Sequence, residues 1–170
     1  MSADTPFTPL DGGCRCEQVR FRIEAAPIIT QCCHCRECQN VTGSAFAINT
    51  MIESRHVSTV AGHPVLFVSD DGQSSMQCAA CGSNVWAFHR HFGDAVAFIG
   101  VGRLDEGERL PPEVHYFTRS RHPWVSTPAN LPAFETLGDA GKAGARAHHG
   151  GACRKQPATR RQSPAEGGMT

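Results

Sequence analysis

The residues of this chain best placed to do chemistry are its cysteines. Eight of the nine fall into three clusters: Cys14 and Cys16, then Cys32, Cys33, Cys35 and Cys38, then Cys78 and Cys81; Cys153 stands alone. Tetrahedral zinc takes sulfur donors at about 2.3 Å, and thiolates one to four residues apart can bind one ion from a single turn of chain. The C-x-C at Cys14 and Cys16 and the C-x-x-C at Cys78 and Cys81 together make one closed four-thiolate set. Cys33, Cys35 and Cys38 make a second set, of three. Structural zinc sites fill all four positions, whereas catalytic ones keep a vacancy. The expectation is therefore two Zn²⁺ per chain, one structural and one able to do chemistry. Neighbouring residues of an extended chain face opposite ways, so Cys32 does not naturally share an ion with Cys33. If Cys32 did close the shell, the second zinc would be structural too.

A zinc on three thiolates has a formal charge of −1 and is a weaker Lewis acid than zinc on three neutral histidines. Exchange of a soft ligand is favoured over water activation. A substrate thiol entering the vacancy would be held as thiolate and kept nucleophilic near neutral pH. Thiol chemistry comes first, and hydrolysis second.

Strands and turns must bring these sulfurs together. Val19-Arg20-Phe21-Arg22-Ile23 alternates apolar and polar residues, and Ser44 to Ile52, Val65 to Val68, Asn84 to Phe88, Ala95 to Val101 and Val114 to Phe117 are rich in Val, Ile and Phe. Gly12-Gly13, Gly43, Gly62-His63-Pro64, Asp70-Asp71-Gly72 and Gly93-Asp94 break them apart. Only Arg36 to Thr42 has room for a short helix. The fold class is mostly β, built of antiparallel strands. Cys14 and Cys16 reach one ion if Gly13 to Gln18 is extended. Gly82 supplies the left-handed position that ends the Cys78-Ala79-Ala80-Cys81 knuckle. Gly100-Val101-Gly102 has no helix after it, which argues against a nucleotide loop.

Composition narrows the function classes. Residues 1–137 carry 10 Arg and no Lys against 14 acidic residues, a net of −4, while residues 138–170 carry 6 basic residues against 2 acidic, a net of +4. An acidic body argues against a nucleic-acid partner. No apolar run approaches the ~18 residues of a membrane span, and Met1 to Leu10 lacks the pattern of a secretory signal. A cytoplasmic location follows, where thiols stay reduced and clustered cysteines mean metal more often than disulfides. Three regions are expected: a flexible N-terminus over 1–9, one zinc-binding domain over 10–137, and a disordered basic tail over 138–170 that holds His148, His149 and Cys153.

Gly12-Gly13-Cys14-Arg15-Cys16 with Val19-Arg20-Phe21, Cys33-His34-Cys35-Arg36-Glu37-Cys38-Gln39 with Thr42-Gly43-Ser44, and Cys78-Ala79-Ala80-Cys81-Gly82 resemble the glutathione-dependent formaldehyde-activating family, which includes centromere protein V. Val114-His115-Tyr116-Phe117 to Pro123-Trp124 and Leu131-Pro132-Ala133-Phe134-Glu135 look like its closing segment, so the resemblance spans residues 10 to 136. It implies an Mss4-like β-tent, a structural zinc on Cys14, Cys16, Cys78 and Cys81, and a labile zinc on Cys33, Cys35 and Cys38. It further implies a carbon–sulfur lyase that adds glutathione to formaldehyde to give S-hydroxymethylglutathione, or runs the reverse reaction. The partners would be a small-molecule thiol and an aldehyde, with glutathione as co-substrate.

Glutathione carries two carboxylates, and Arg119 and Arg121 in the closing segment are the candidates to bind them. Arg36 could offset the charge of the tripod or pair with Glu37. His34 lies between two ligands and should point away from the metal if they point toward it. His115 reads as a hydrogen-bonded structural histidine, and His89 and His91 as part of a strand or turn face. Two other functions fit the same zinc residues. One is a non-enzymatic zinc-stabilised binding module. The other is a methionine sulfoxide reductase, which needs a separate nucleophilic cysteine, for which Cys32 alone is spare.

Overall fold

A computed structural model of the protein describes residues 6–70, 72–127 and 130–137. The expected basic tail with Cys153 lies outside the described residues. The strands are β1 (Leu10–Gly13), β2 (Arg20–Ile23), β3 (Ile29–Cys33), β4 (Ala47–Glu53), β5 (Val57–Ala61), β6 (Val65–Val68), β7 (Ser74–Gln77), β8 (Asn84–Phe88), β9 (Val96–Gly100), β10 (Val114–Tyr116) and β11 (Ala133–Phe134), with one helix, α1 (Arg36–Thr42). They form a three-stranded sheet, β1-β2-β5, and an eight-stranded sheet, β11-β10-β3-β4-β9-β8-β7-β6.

The core lies where the two sheets meet. Leu10, Phe21 and Ile23 come from the small sheet, and Ile52, Val85, Trp86, Ala97 and Ile99 from the large one. Strand alternation explains the set: β9 buries Ala97 and Ile99 and leaves the residues between them partly exposed. Phe21 and Ile23 are 0 % exposed, and each contributes about 2 kcal/mol by burial. Phe21 meets Trp86 edge-on at 5.8 Å, which orients one sheet against the other. Cys14 and Cys78 belong to this same cluster. Phe7 packs against it, and the Thr8 carbonyl accepts from Arg109, so part of the N-terminal segment is held to the body.

Every pairing is antiparallel except those of β10, which runs parallel to both β3 and β11. Parallel neighbours need a long connection, and the chain between Cys33 and Val114 supplies it by building β4 and β6 to β9 of the large sheet on the way. His115 thus comes to lie opposite Cys32, and Tyr116 opposite Cys33.

The segment from Gly13 to Gln18 is not extended as the cysteine spacing alone suggests. β1 and β2 pair as a hairpin with Gly13 opposite Arg20, so the chain must reverse between them. The Cys14 N–H donates to Val19 O, the Glu17 N–H donates to Cys14 O, and Glu17 takes a left-handed φ of 62°. This tight loop, and not a flat strand, brings Cys16 back beside Cys14. Gly62 backs the loop: at φ +71°, a Cβ there would stand 1.9 Å from Gln18 O, so no larger residue fits.

Candidate metal centres

The hairpin loop and the turn after β7 face each other. Cys14 and Cys16 Sγ are 3.5 Å apart, and Cys16 and Cys78 Sγ 3.7 Å. With Cys81 they form a group whose sulfurs all lie within 4.8 Å of one another. Four sulfurs on a tetrahedral zinc at 2.3 Å would sit about 3.8 Å apart, so the group fits one such ion. The Cys78–Cys81 turn is closed by Gly82 N–H to Cys78 O and Cys78 N–H to Ser83 O, both 2.9 Å. Gly82 takes the left-handed conformation, at φ +68°, as the knuckle pattern predicts.

The electrostatics of this group ask for a cation. The Ser83 hydroxyl, 3.2 Å from Cys81 Sγ, and the Ser83 backbone hold the Cys81 thiol down at about 5. Burial works against ionising Cys14, but the Val19 N–H at 3.3 Å and the neighbouring Cys16 and Cys78 thiols outweigh it and lower its pKa. The Gln18 backbone favours the Cys16 thiolate, yet the crowd of Cys81, Cys14 and Cys78 pushes it up to about 12. Four thiols this close cannot all ionise unless a metal ion neutralises them. Ser83 also accepts from the Arg15 N–H at 3.3 Å, joining the two loops from outside the sulfur shell.

The second group forms where β3 ends and α1 begins. Cys33, Cys35 and Cys38 place their sulfurs within 4.8 Å of one another, with Cys33 and Cys35 at 3.5 Å. Cys35 is the N-cap of α1, and its sulfur accepts the Cys38 N–H at 3.3 Å. The helix is short and stops at Gly43, left-handed at φ +60°. Contact with the Cys38 thiol holds Cys33 down at about 6 despite burial. The reciprocal effect of Cys33, with burial, pushes Cys38 far up, and burial raises Cys35. These three residues, too, could hold one ion.

Cys32 stays outside this group: it is 4 % exposed in β3, its sulfur is not among the clustered ones, and burial raises its thiol to about 11. Alternation along the strand is the physical cause.

The same alternation turns His34 away from the sulfurs of Cys33 and Cys35. Its ring is 0 % exposed, with Nε2 3.1 Å from His115 Nδ1 and one face against Phe46. Burial lowers the pKa of both histidines, so each is held neutral near pH 7. The His34 N–H donates to Tyr116 O, and the His34 carbonyl accepts from Gln39 Nε2 at 2.9 Å. Gln39 Nε2 also donates to Ser120 O at 3.0 Å, and Arg36 steadies the amide through Gln39 Oε1 instead of pairing with Glu37. Sequence patterns single out His34 and His115 but not their contact, which depends on β3 and β10 running parallel. Gln39 and Ser83, polar residues of ordinary type, carry no pattern that would reveal them.

Gln39 thereby clamps the closing segment onto the helix that carries Cys38. Arg119 lies exposed in the turn Thr118–Ser120. Arg121, also exposed, donates to Thr127 Oγ1 at 2.7 Å, and its charge is felt at both His34 and His115. Trp124, 72 % exposed, stacks on His122 nearby in sequence. In the turn after β8, His89 lies against Phe92 and Phe98, and His91 lies against His89; neither belongs to a sulfur group. No helix among the described residues is long and apolar enough to cross a membrane.

The family model for glutathione-dependent formaldehyde-activating enzyme matches residues 9–120. A curated protein of Halomonas elongata, provisionally named a glutathione-dependent formaldehyde-activating enzyme, is 27 % identical over 124 residues, covering 68 % of this chain and 79 % of its own. A solved structure of a Rhodobacter sphaeroides protein aligns with a TM-score of 0.46 at 15 % identity, over 72 % of this chain and 98 % of that one.

Proposed function

The chain belongs to the glutathione-dependent formaldehyde-activating family, and from that premise we propose that it is a zinc-dependent carbon–sulfur lyase joining glutathione to an aldehyde, or running the reverse. The observation that carries the reading is the sulfur tripod of Cys33, Cys35 and Cys38, with Cys32 turned out of it. Three donors would leave a tetrahedral ion one position short, the open site a thiol substrate needs. Zinc bound there would supply a positive centre that lowers the pKa of an incoming thiol and keeps its sulfur nucleophilic. The four-sulfur group of Cys14, Cys16, Cys78 and Cys81 is proposed as the structural zinc.

The remaining work falls to the chain's own groups. The Cys38 N–H and the buried His34 hold the donors in place from behind. Arg119 and Arg121 are the cations proposed for the two carboxylates of glutathione; both are exposed, and the bond from Gln39 to Ser120 O ties their segment to the helix that carries Cys38. In the forward direction the thiolate sulfur attacks the carbonyl carbon, an S–C bond forms as the C=O π bond breaks, and the oxygen takes up the proton the thiol has lost. The direct product is a hydroxyalkyl thioether, with no change in oxidation state overall. We place this reaction in the cytoplasm, where nine cysteines stay reduced.

Native mass spectrometry of the full chain tests the proposal by counting zinc before and after glutathione is added. Two zinc ions, one of them displaced or carrying glutathione, is the expected result. Two zinc ions indifferent to the thiol, or a single zinc, overturns the enzyme reading and favours a zinc-stabilised binding module.

A further inference from the structure

β6 ends the eight-stranded sheet, and its outer edge has no strand against it among the described residues. Its four residues are Val65, Leu66, Phe67 and Val68, exposed by 36, 56, 50 and 58 %. Edge strands of monomers are normally blunted by a charge, a proline or a bulge. Val65 to Val68 contains none of these, and it shows no alternation, so both of its faces present carbon to water. The opposite end of the sheet is β11, only two residues long, which follows the usual protective pattern.

The backbone of β6 specifies what fits there. Ser69 N–H donates to Gln73 O at 2.8 Å, and the β6–β7 register places Phe67 opposite Ser75 and Val65 opposite Gln77. Antiparallel ladders alternate, so Val65 and Phe67 also turn their N–H and C=O groups toward β7, and those of Leu66 and Val68 point outward. Proline at position 64 removes the next outward donor, which limits the open edge to Leu66 and Val68.

We propose that β6 pairs antiparallel with β6 of a second copy of this chain, making a two-fold dimer whose large sheets run on into one another. A two-fold axis perpendicular to a sheet keeps each face on its own side, so only registers that pair residues of like direction are allowed. Of these, the register centred on Phe67 uses every outward group. Leu66 and Val68 of one copy exchange hydrogen bonds with Val68 and Leu66 of the other. Phe67 meets Phe67 as a close, non-hydrogen-bonded pair, where side chains pack best. Asp70 then falls beside Pro64 and His63 of the second copy, acid next to base at both ends, whereas a parallel pairing would set Asp70 against Asp70. The contact is one short strand per copy, below the ~1,200 Å² of standard interfaces, so the dimer is a weak and reversible one.

Sedimentation of the full chain from about 10 to about 500 µM tests this, with amide hydrogen exchange run alongside. The expected result is a mass rising to twice that of the chain, with slower exchange at Leu66 and Val68 as concentration rises and no change at Val65 and Phe67. Leu66→Pro removes an outward N–H without breaking the β7 ladder, and Phe67→Lys puts a charge on the axis. Both variants should stay monomeric with unchanged zinc content. A wild-type chain that remains monomeric at the highest concentration overturns the proposal. So does a dimer in which the Leu66 and Val68 amides exchange as freely as in the monomer, since another surface then makes the contact.

Discussion

Replacing Cys81 by Ser and Cys35 by Ser should damage this protein in different ways, because the two sulfur groups close loops of very different length. The first group joins Cys16 to Cys78 across 62 residues. By the loop-closure relation used for crosslinks, tying a chain at that separation removes about 4 kcal/mol of unfolded-state entropy at 25 °C. The second group spans only Cys33 to Cys38, and the same relation gives about 2 kcal/mol. Cys81 is only partly buried, so its replacement leaves little cavity, and the full loss of about 4 kcal/mol is reached when the three sulfurs left, Cys14, Cys16 and Cys78, give up the ion, which the zinc count reports. Cys35→Ser keeps the helix cap, since a serine oxygen accepts the Cys38 N–H as well as sulfur does. For a body of this size, about 4 kcal/mol lowers Tm by roughly 15 °C, and about 2 kcal/mol by roughly 7 °C. The assay is thermal unfolding of the full chain with zinc counted on each variant, beside thiol-dependent turnover. Cys81→Ser should lose the larger share of stability, and Cys35→Ser should lose turnover and one zinc while melting within several degrees of the parent. Equal melting losses for the two, or full turnover in Cys35→Ser, would refute the division of labour.

Two further outcomes test the packing behind the tripod. His34→Ala removes a fully buried ring and orphans His115 Nδ1, which should cost about 3 kcal/mol in urea unfolding and make the second metal easier to strip with a chelator; a change under about 0.5 kcal/mol would show that the ring does not anchor the loop. In the metal-free protein, the Cβ chemical shift of Cys33 should titrate near 6 instead of the usual 9, and Cys38→Ala should move that midpoint upward, since the Cys38 thiol is the largest cause of the shift. The sign for stability follows from a lowered thiol pKa. The Cys33 contribution is fully present above the unfolded value near 9 and is lost as pH falls through about 6. Stability of the metal-free chain that rose across that fall would contradict it.

How much of this was readable beforehand depended on what each stretch had to bury. β6 and β8 carry compact runs of strand-forming residues and appear at the expected bounds, as does α1, which sits between its capping cysteine and Gly43. β3 hides because it is covered on both faces. Ile29 to Cys33 has no alternation to show, and its two cysteines look like a metal cluster before they look like a strand. The sulfurs that share a local spacing lie within 4.8 Å of one another in both groups, since such spacing acts over a single turn of chain. It misjudged the shape of the Cys14–Gln18 loop, because the left-handed turn falls on Glu17, a residue type that does not advertise it. The parallel partners of β10 were equally out of reach, for strand period says which residues share a face and nothing about which strand lies alongside.

The position of His34 shows how the fold and the candidate chemistry depend on one another. In a Cys-His-Cys run at the end of a strand, turning the two sulfurs toward one ion forces the middle side chain to the opposite side. A buried partner must wait for it there, or a polar ring is stranded without a bond. β10 provides that partner only because it returns parallel to β3 and sets His115 opposite Cys32, one residue from the pair it supports. The three sulfurs therefore gather on one side of a point pinned by a ring–ring hydrogen bond, a strand carbonyl and the Gln39 amide. The same amide holds Ser120, so the segment that carries Arg119 and Arg121 is fixed relative to the tripod by one side chain. A histidine flanked by two of the three clustered thiols is in this setting an anchor outside the sulfur group, and its part is to keep the sulfurs still.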